Sequence, residues 1–107
     1  MRLYIRGQGL AIGEGERERV ERRLGFALGR FGDRVGRVEV HLADRPARGG
    51  TGDKWCRVIA EVVGYGAVVV EGDGRDLIDL IDRTADRTGL AVRRRLDRAR
   101  FARADAN

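Results

Sequence analysis

Cysteine occurs once in this sequence, at Cys56, so no internal disulfide can form and no cysteine-rich zinc site can be built. His41 is the only histidine, which excludes His-rich metal sites and leaves one obvious candidate for acid–base catalysis. No apolar run approaches the roughly 18 residues of a membrane-spanning helix. The opening residues Met1-Arg2-Leu3-Tyr4-Ile5-Arg6 lack the uninterrupted apolar stretch of a signal peptide. The expected location is therefore the cytoplasm. Lysine is almost missing: of the 22 basic residues only Lys54 is not arginine. Arginine grips phosphate with paired hydrogen bonds and stacks on bases, a bias that suits nucleic acid. A GC-rich genome produces the same bias, so composition leaves both explanations open.

What is present points to one compact domain. The 107 residues, 42% hydrophobic and 36% charged, suffice for a single modest core spanning 1–107, beneath a heavily charged surface. Leu3 and Ile5 alternate with Arg2, Tyr4 and Arg6, the period of a half-buried strand. Gly7, Gly9, Gly13 and Gly15 mark a turn. From Glu14 to Phe31, Val20, Leu24, Ala27, Leu28 and Phe31 recur at helical spacing, with glutamates crowding the first turns and Gly32 as the stop. Val38, Val40 and Leu42 predict a second strand. Asp44 to Asp53, holding Pro46, Gly49, Gly50 and Gly52, reads as a long hairpin loop. A third strand is expected over Trp55–Val63, a fourth over Ala67–Glu71, and then a turn at Gly72-Asp73-Gly74. Asp76 is placed to begin a last helix, as its cap or in its first turn, running at least to Arg98. The order β-α-β-β-β-α predicts an α+β fold. Its first crossover should set two strands parallel, and both helices should pack on one face of a four-stranded mixed sheet.

The last helix carries the charge. From Arg83 to Arg103 eight arginines stand against Asp86 and Asp97, a net of +8 − 2 = +6, whereas the whole chain is +5. At roughly 100° per residue, Leu77, Ile78, Ile81, Ala85, Val92, Leu96 and Ala99 fall in one sector. Arg83, Arg87, Arg94 and Arg98 fall nearly opposite. Such a row matches a phosphate backbone, where each contact releases counterions. A solvated helix face with cations near its C-terminus would look similar. Like charges at Arg83/Arg87 and Arg94/Arg98 nevertheless repel, at roughly 0.2–0.5 kcal/mol per pair, which favours an anionic partner. On the first helix Arg19, Arg23 and Arg30 share a side with Phe26, read here as covering a core edge, with base stacking as the alternative.

Weaker patterns are set aside with reasons. Gly7-Gln8-Gly9 starts a dinucleotide fingerprint, but its third glycine would fall at Ile12, and no Gly-Lys-Ser/Thr occurs. Lys54 lies near Cys56 and could lower a thiol pKa, yet a Cys–His nucleophile would require Cys56 and His41 to meet. Asp76, Asp79, Asp82 and Asp86 have spacings open to metal ligation, but dipole matching and an Asp79–Arg83 pair explain them as well.

The chain resembles the ribosome hibernation-promoting factor and ribosome-associated inhibitor family. The likeness rests on a first strand ending in Gly7, on Arg30-Phe31-Gly32-Asp33-Arg34-Val35, and on Val38-Glu39-Val40-His41-Leu42. It continues through Arg57 to Val63, Asp76-Leu77, Ile81-Asp82, Asp86-Arg87 and Arg94. The Asp53-Lys54-Trp55-Cys56 run looks like a short subgroup. The resemblance implies a double-stranded-RNA-binding-domain-like topology and a non-enzymatic protein without metal, cofactor or membrane partner. It also implies binding in the RNA channel of the small ribosomal subunit, with translation down-regulated, and, since the chain stops at Asn107, absence of the long form's dimerisation domain. Arg87 and Arg94 stand where the family has lysines, Arg23 and Arg30 match basic positions on the first helix, and a further family lysine falls near Phe26 or Ala27. Thr88 and Gly89 depart from the pattern, and a bend is expected at Gly89. The RNA-binding residues expected are thus Arg83, Arg87, Arg94, Arg98, Arg23, Arg30 and Lys54. A rival reading makes the protein an interaction module using the open sheet face, where Arg2, Tyr4, Arg6, His41, Trp55 and Arg57 could gather.

Overall fold

The structure is a computed structural model that describes residues 1–45 and 53–105, with side chains as far as Arg100. Strand β1 (Arg2–Gln8) leads to helix α1 (Glu14–Leu28), a 3₁₀ segment (Gly29–Arg34), strands β2 (Val35–Asp44), β3 (Lys54–Val62) and β4 (Ala67–Gly74), and helix α2 (Leu77–Asp105). The sheet order is β1-β2-β3-β4, with β1 parallel to β2 and the other neighbours antiparallel. This is the expected fold. The middle of the expected hairpin loop, 46–52, lies outside the described residues.

The period-two pattern decides which face is covered. Val38, Val40 and Leu42 of β2 and Cys56, Val58, Ala60 and Val62 of β3 are buried together with Val20, Leu24 and Leu28 of α1 and Leu80, Ile81, Ala85 and Val92 of α2. Fully burying one such side chain is worth about 1.5–3 kcal/mol, so these stripes hold both helices on one side. The opposite face, with Tyr4, His41 and Arg57, remains open.

Three local expectations are corrected. Helix α1 ends at Leu28, not Phe31. The chain tightens into 3₁₀ turns in which Gly32 takes φ 55°, a left-handed value that a Cβ disfavours. Gly72-Asp73-Gly74 is not a turn but the end of β4, paired with Cys56, Trp55 and Lys54. Helix α2 crosses closely there: a Cβ on Gly72 would stand 3.2 Å from Leu80 Cδ1, and one on Gly74 would displace the movable end of Arg83, 2.8 Å away at Nη2. The buried stripe of α2 runs through Leu80, Thr84 and Thr88, whereas Ile78 is exposed. Thr88 tolerates burial because its hydroxyl donates to the Thr84 carbonyl at 2.7 Å. Helix α2 runs on through Gly89. This glycine serves packing: a Cβ there would lie 3.1 Å from the Ala27 carbonyl oxygen of α1.

Helix α2 starts as expected, with the Asp79 amide donating to Asp76 Oδ1 at 3.1 Å.

Candidate nucleic-acid interface

The arginines of α2 fall into two groups. Arg83 donates from Nε to Asp79 Oδ2 at 2.9 Å, so its charge is largely met within its own helix. Arg87 donates from Nη1 to the Glu71 carbonyl at 2.9 Å. A neutral acceptor holds that guanidinium without cancelling its charge. Arg94 and Arg98, by contrast, are exposed, and neither has an ion pair or hydrogen bond among the described residues. The side chain of Arg103 lies outside that range.

The remaining expected residues are spread more widely. Arg23 donates to Asp86 Oδ1 at 2.9 Å and lies 3.4 Å from Asp82. Arg19 grips Asp82 with two bonds, at 2.9 and 2.6 Å. These pairs latch α1 to α2 across 63 residues of sequence. Hydrogen bonding to Arg19, aided by the charges of Arg19, Arg23 and Arg22, holds the Asp82 carboxyl below its ordinary range. Arg23 therefore belongs to the seam. Arg30 remains exposed, its guanidinium 4.8 Å from the centre of the Phe31 ring. Lys54 sits at the far corner of the sheet, 3.2 Å from Asp44 and 3.7 Å from Asp53. The hydrogen bond to Asp44 raises its pKa.

Two features escape a sequence reading. Arg34, Arg93 and Arg100 join Arg30 around a hollow of about 230 Å³ bounded by Phe31, Leu96 and Asp97, where four guanidiniums meet one carboxylate. The 3₁₀ turns bring Arg30 and Arg34 there, and nothing in a helical projection of α2 alone shows it. Beside it Phe26 is 82% exposed, against the core-edge reading, and Leu90 is 45% exposed. These two apolar side chains border a shallow groove with Arg30.

Cys56 and His41 do not meet. Cys56 pairs in register with Leu42 and is buried under α2, while His41 pairs with Arg57 on the open face. Burial pushes the thiol up to about 11, the Thr84 hydroxyl pulling the other way. A buried neutral thiol is a poor nucleophile. Asp82 and Asp86 are likewise committed to arginines, and Asp79 to Arg83.

Known proteins were compared against this geometry. No family model matches the sequence, and no curated protein matches it. Among solved structures, the N-terminal domain of protein Y from Thermus thermophilus is 29% identical, with a TM-score of 0.71 over 88% of this chain and 98% of that one. In sequence and in fold the chain resembles this protein Y domain. A ribosomal subunit interface protein from Coxiella burnetii superposes with a TM-score of 0.70 over 88% of this chain and 96% of that one, at 15% identity, which is a likeness of fold. No helix among the described residues is long and apolar enough to cross a membrane.

Proposed function

We propose that this protein binds the ribosome without catalysing a reaction, occupying the RNA channel of the small subunit in the cytoplasm and so down-regulating translation. One observation carries the reading: Arg94 and Arg98 stand one turn apart on α2, exposed and without an internal counter-charge among the described residues. Arg87 adds a third charge that its carbonyl partner leaves intact, and the four-arginine hollow at Arg30 extends the positive surface onto the 3₁₀ segment that follows α1. Likeness to the protein Y domain and to a ribosomal subunit interface protein supports the ribosome as the polyanion. Arg83, Arg23 and Lys54, already paired with carboxylates, contribute less to RNA than sequence spacing suggests.

The mechanism is occlusion by a wedge held electrostatically. Each phosphate contact releases counterions, so affinity falls steeply with salt, by a slope of roughly 0.7–0.9 per contact. Sedimentation of small subunits with the protein across a salt series tests this. Arg94→Glu with Arg98→Glu should release the protein and flatten the salt dependence by about 1.5 units of slope, two contacts' worth. Arg83→Gln should change little. Unaltered cosedimentation of the double variant would remove the basis of the proposal.

A further inference from the structure

On the sheet face that the helices leave open, the strand register lines up Arg6, His41, Arg57 and Glu71 abreast across all four strands. Within that row only Arg57 is answered by a carboxylate, donating from Nε to Glu71 at 2.6 Å. Arg6 is exposed and has no ion pair among the described residues. Two residues along β3 from Arg57, Trp55 lies on the same face. The Arg45 guanidinium stacks over its ring 3.9 Å from the centroid, and Arg57 stands 5.3 Å away. Between these groups opens a hollow of about 360 Å³ lined by Arg6, Gln8, His41, Arg45, Trp55 and Arg57. No carboxylate lines it among the described residues; the nearest acids by register are Glu71, already paired, and Asp73, opposite Trp55.

We infer that this hollow binds a nucleotide unit, its phosphate held by Arg6 and Arg57 beside His41 and its base stacked on the Arg45–Trp55 pair. Three observations converge on that chemistry. The volume lies within the range of small-ligand sites, about 300–1,000 Å³. The unpaired Arg6 and the Glu71-paired Arg57 line the same hollow as a planar cation laid on an indole, a combination suited to a phosphate beside a stacked base. Gln8 adds an amide at the rim able to donate to or accept from a base edge. An acidic peptide would satisfy the arginines but leave the stacked pair unused. The unit is either a free mononucleotide or one residue of a single-stranded RNA. This surface is separated from the α2 arginines by the sheet itself, so the inference does not depend on ribosome binding.

Trp55 is the only tryptophan in the chain, so its fluorescence reports the site directly. The intact protein is titrated with AMP, with a hexauridylate, with inorganic phosphate and with hexaglutamate, using circular dichroism to confirm that each variant is folded. AMP and the hexamer should quench Trp55 saturably, and phosphate should compete without quenching. Arg6→Glu should weaken both by about tenfold, the worth of one charge-assisted contact. Arg94→Glu with Arg98→Glu should leave both unchanged. Equal affinity for AMP and the hexamer assigns the site to free nucleotide; tighter binding of the hexamer assigns it to single-stranded RNA. Absence of saturable quenching by either nucleotide, equal quenching by hexaglutamate, or unweakened binding in Arg6→Glu would overturn the inference.

Discussion

Two helical glycines make opposite predictions for the same substitution. Gly25 lies on α1 with no neighbouring atom within 4 Å of the place where a Cβ would stand. Alanine there should gain helix propensity at no steric cost, about 1 kcal/mol. On α2, Gly89 faces α1, and a Cβ would come within 3.1 Å of the Ala27 carbonyl oxygen and 3.4 Å of Ala27 Cβ. The helices cannot part freely there, because the Arg19–Asp82 and Arg23–Asp86 pairs hold them on the same seam. Overpacking of this kind costs roughly 1–3 kcal/mol. Set against a propensity gain of about 1 kcal/mol, the net for Gly89→Ala is a loss of about 1 kcal/mol.

Urea denaturation followed by Trp55 fluorescence measures both. For a slope of about 1–2 kcal/mol per molar, the midpoint should rise by roughly half a molar or more in Gly25→Ala and fall comparably in Gly89→Ala. Gly89→Val should fall further. If Gly89→Ala stabilised the protein as much as Gly25→Ala, the close helix approach would not be real, and glycine at this position would need another explanation.

Other expectations follow from the seam and the core. Because Asp82 is held below its ordinary value of 3.8, its pairing stabilises the fold fully above that pH and is lost as pH falls through the depressed native value. The stability gap between wild type and Asp82→Asn should therefore be constant near neutrality and close in acid, as urea titrations at several pH values would show. Cys56, with its thiol pushed up to about 11, should resist a disulfide reagent at pH 8 and react stoichiometrically only in denaturant. Rapid labelling of the native protein would contradict its burial. Phe26, being 82% exposed, should tolerate serine with a stability change within about 0.5 kcal/mol, measured by the same urea assay.

The fold was legible because its two periods are clean. Alternation in Val38-Glu39-Val40-His41-Leu42 and the three-and-four spacing of Val20, Leu24 and Leu28 each point one face inward. Errors arose where a residue type has two physical uses. Glycine at 72 reads as part of a turn when it gives clearance for a crossing helix, and Ile78 reads as part of the buried stripe when it is exposed. The site was legible in phase but not in pairing. Helical projection shows where Arg23 and Arg83 point. It cannot show that Asp86, 63 residues from Arg23, arrives to neutralise it. The hollow around Arg30 needs the 3₁₀ turns after Leu28 as well.

Pairing in three dimensions divides α2 into two working halves. From Asp76 to Arg87 four aspartates face two arginines, 2 − 4 = −2; from Ala91 to Arg100 five arginines face one aspartate, 5 − 1 = +4. The first half therefore matches the positive end of the helix dipole, and its Asp82 and Asp86 fasten α1. The second half sets cations toward the negative end, which offsets part of their mutual repulsion and allows guanidiniums to stand unpaired. A row of arginines spread evenly along the helix would have no such support. It follows that binding capacity and structural tie are separable by position: substitutions at Asp82 should act first on stability, and those at Arg94 and Arg98 first on polyanion affinity. One helix holds the domain together with its beginning and presents charge with its end.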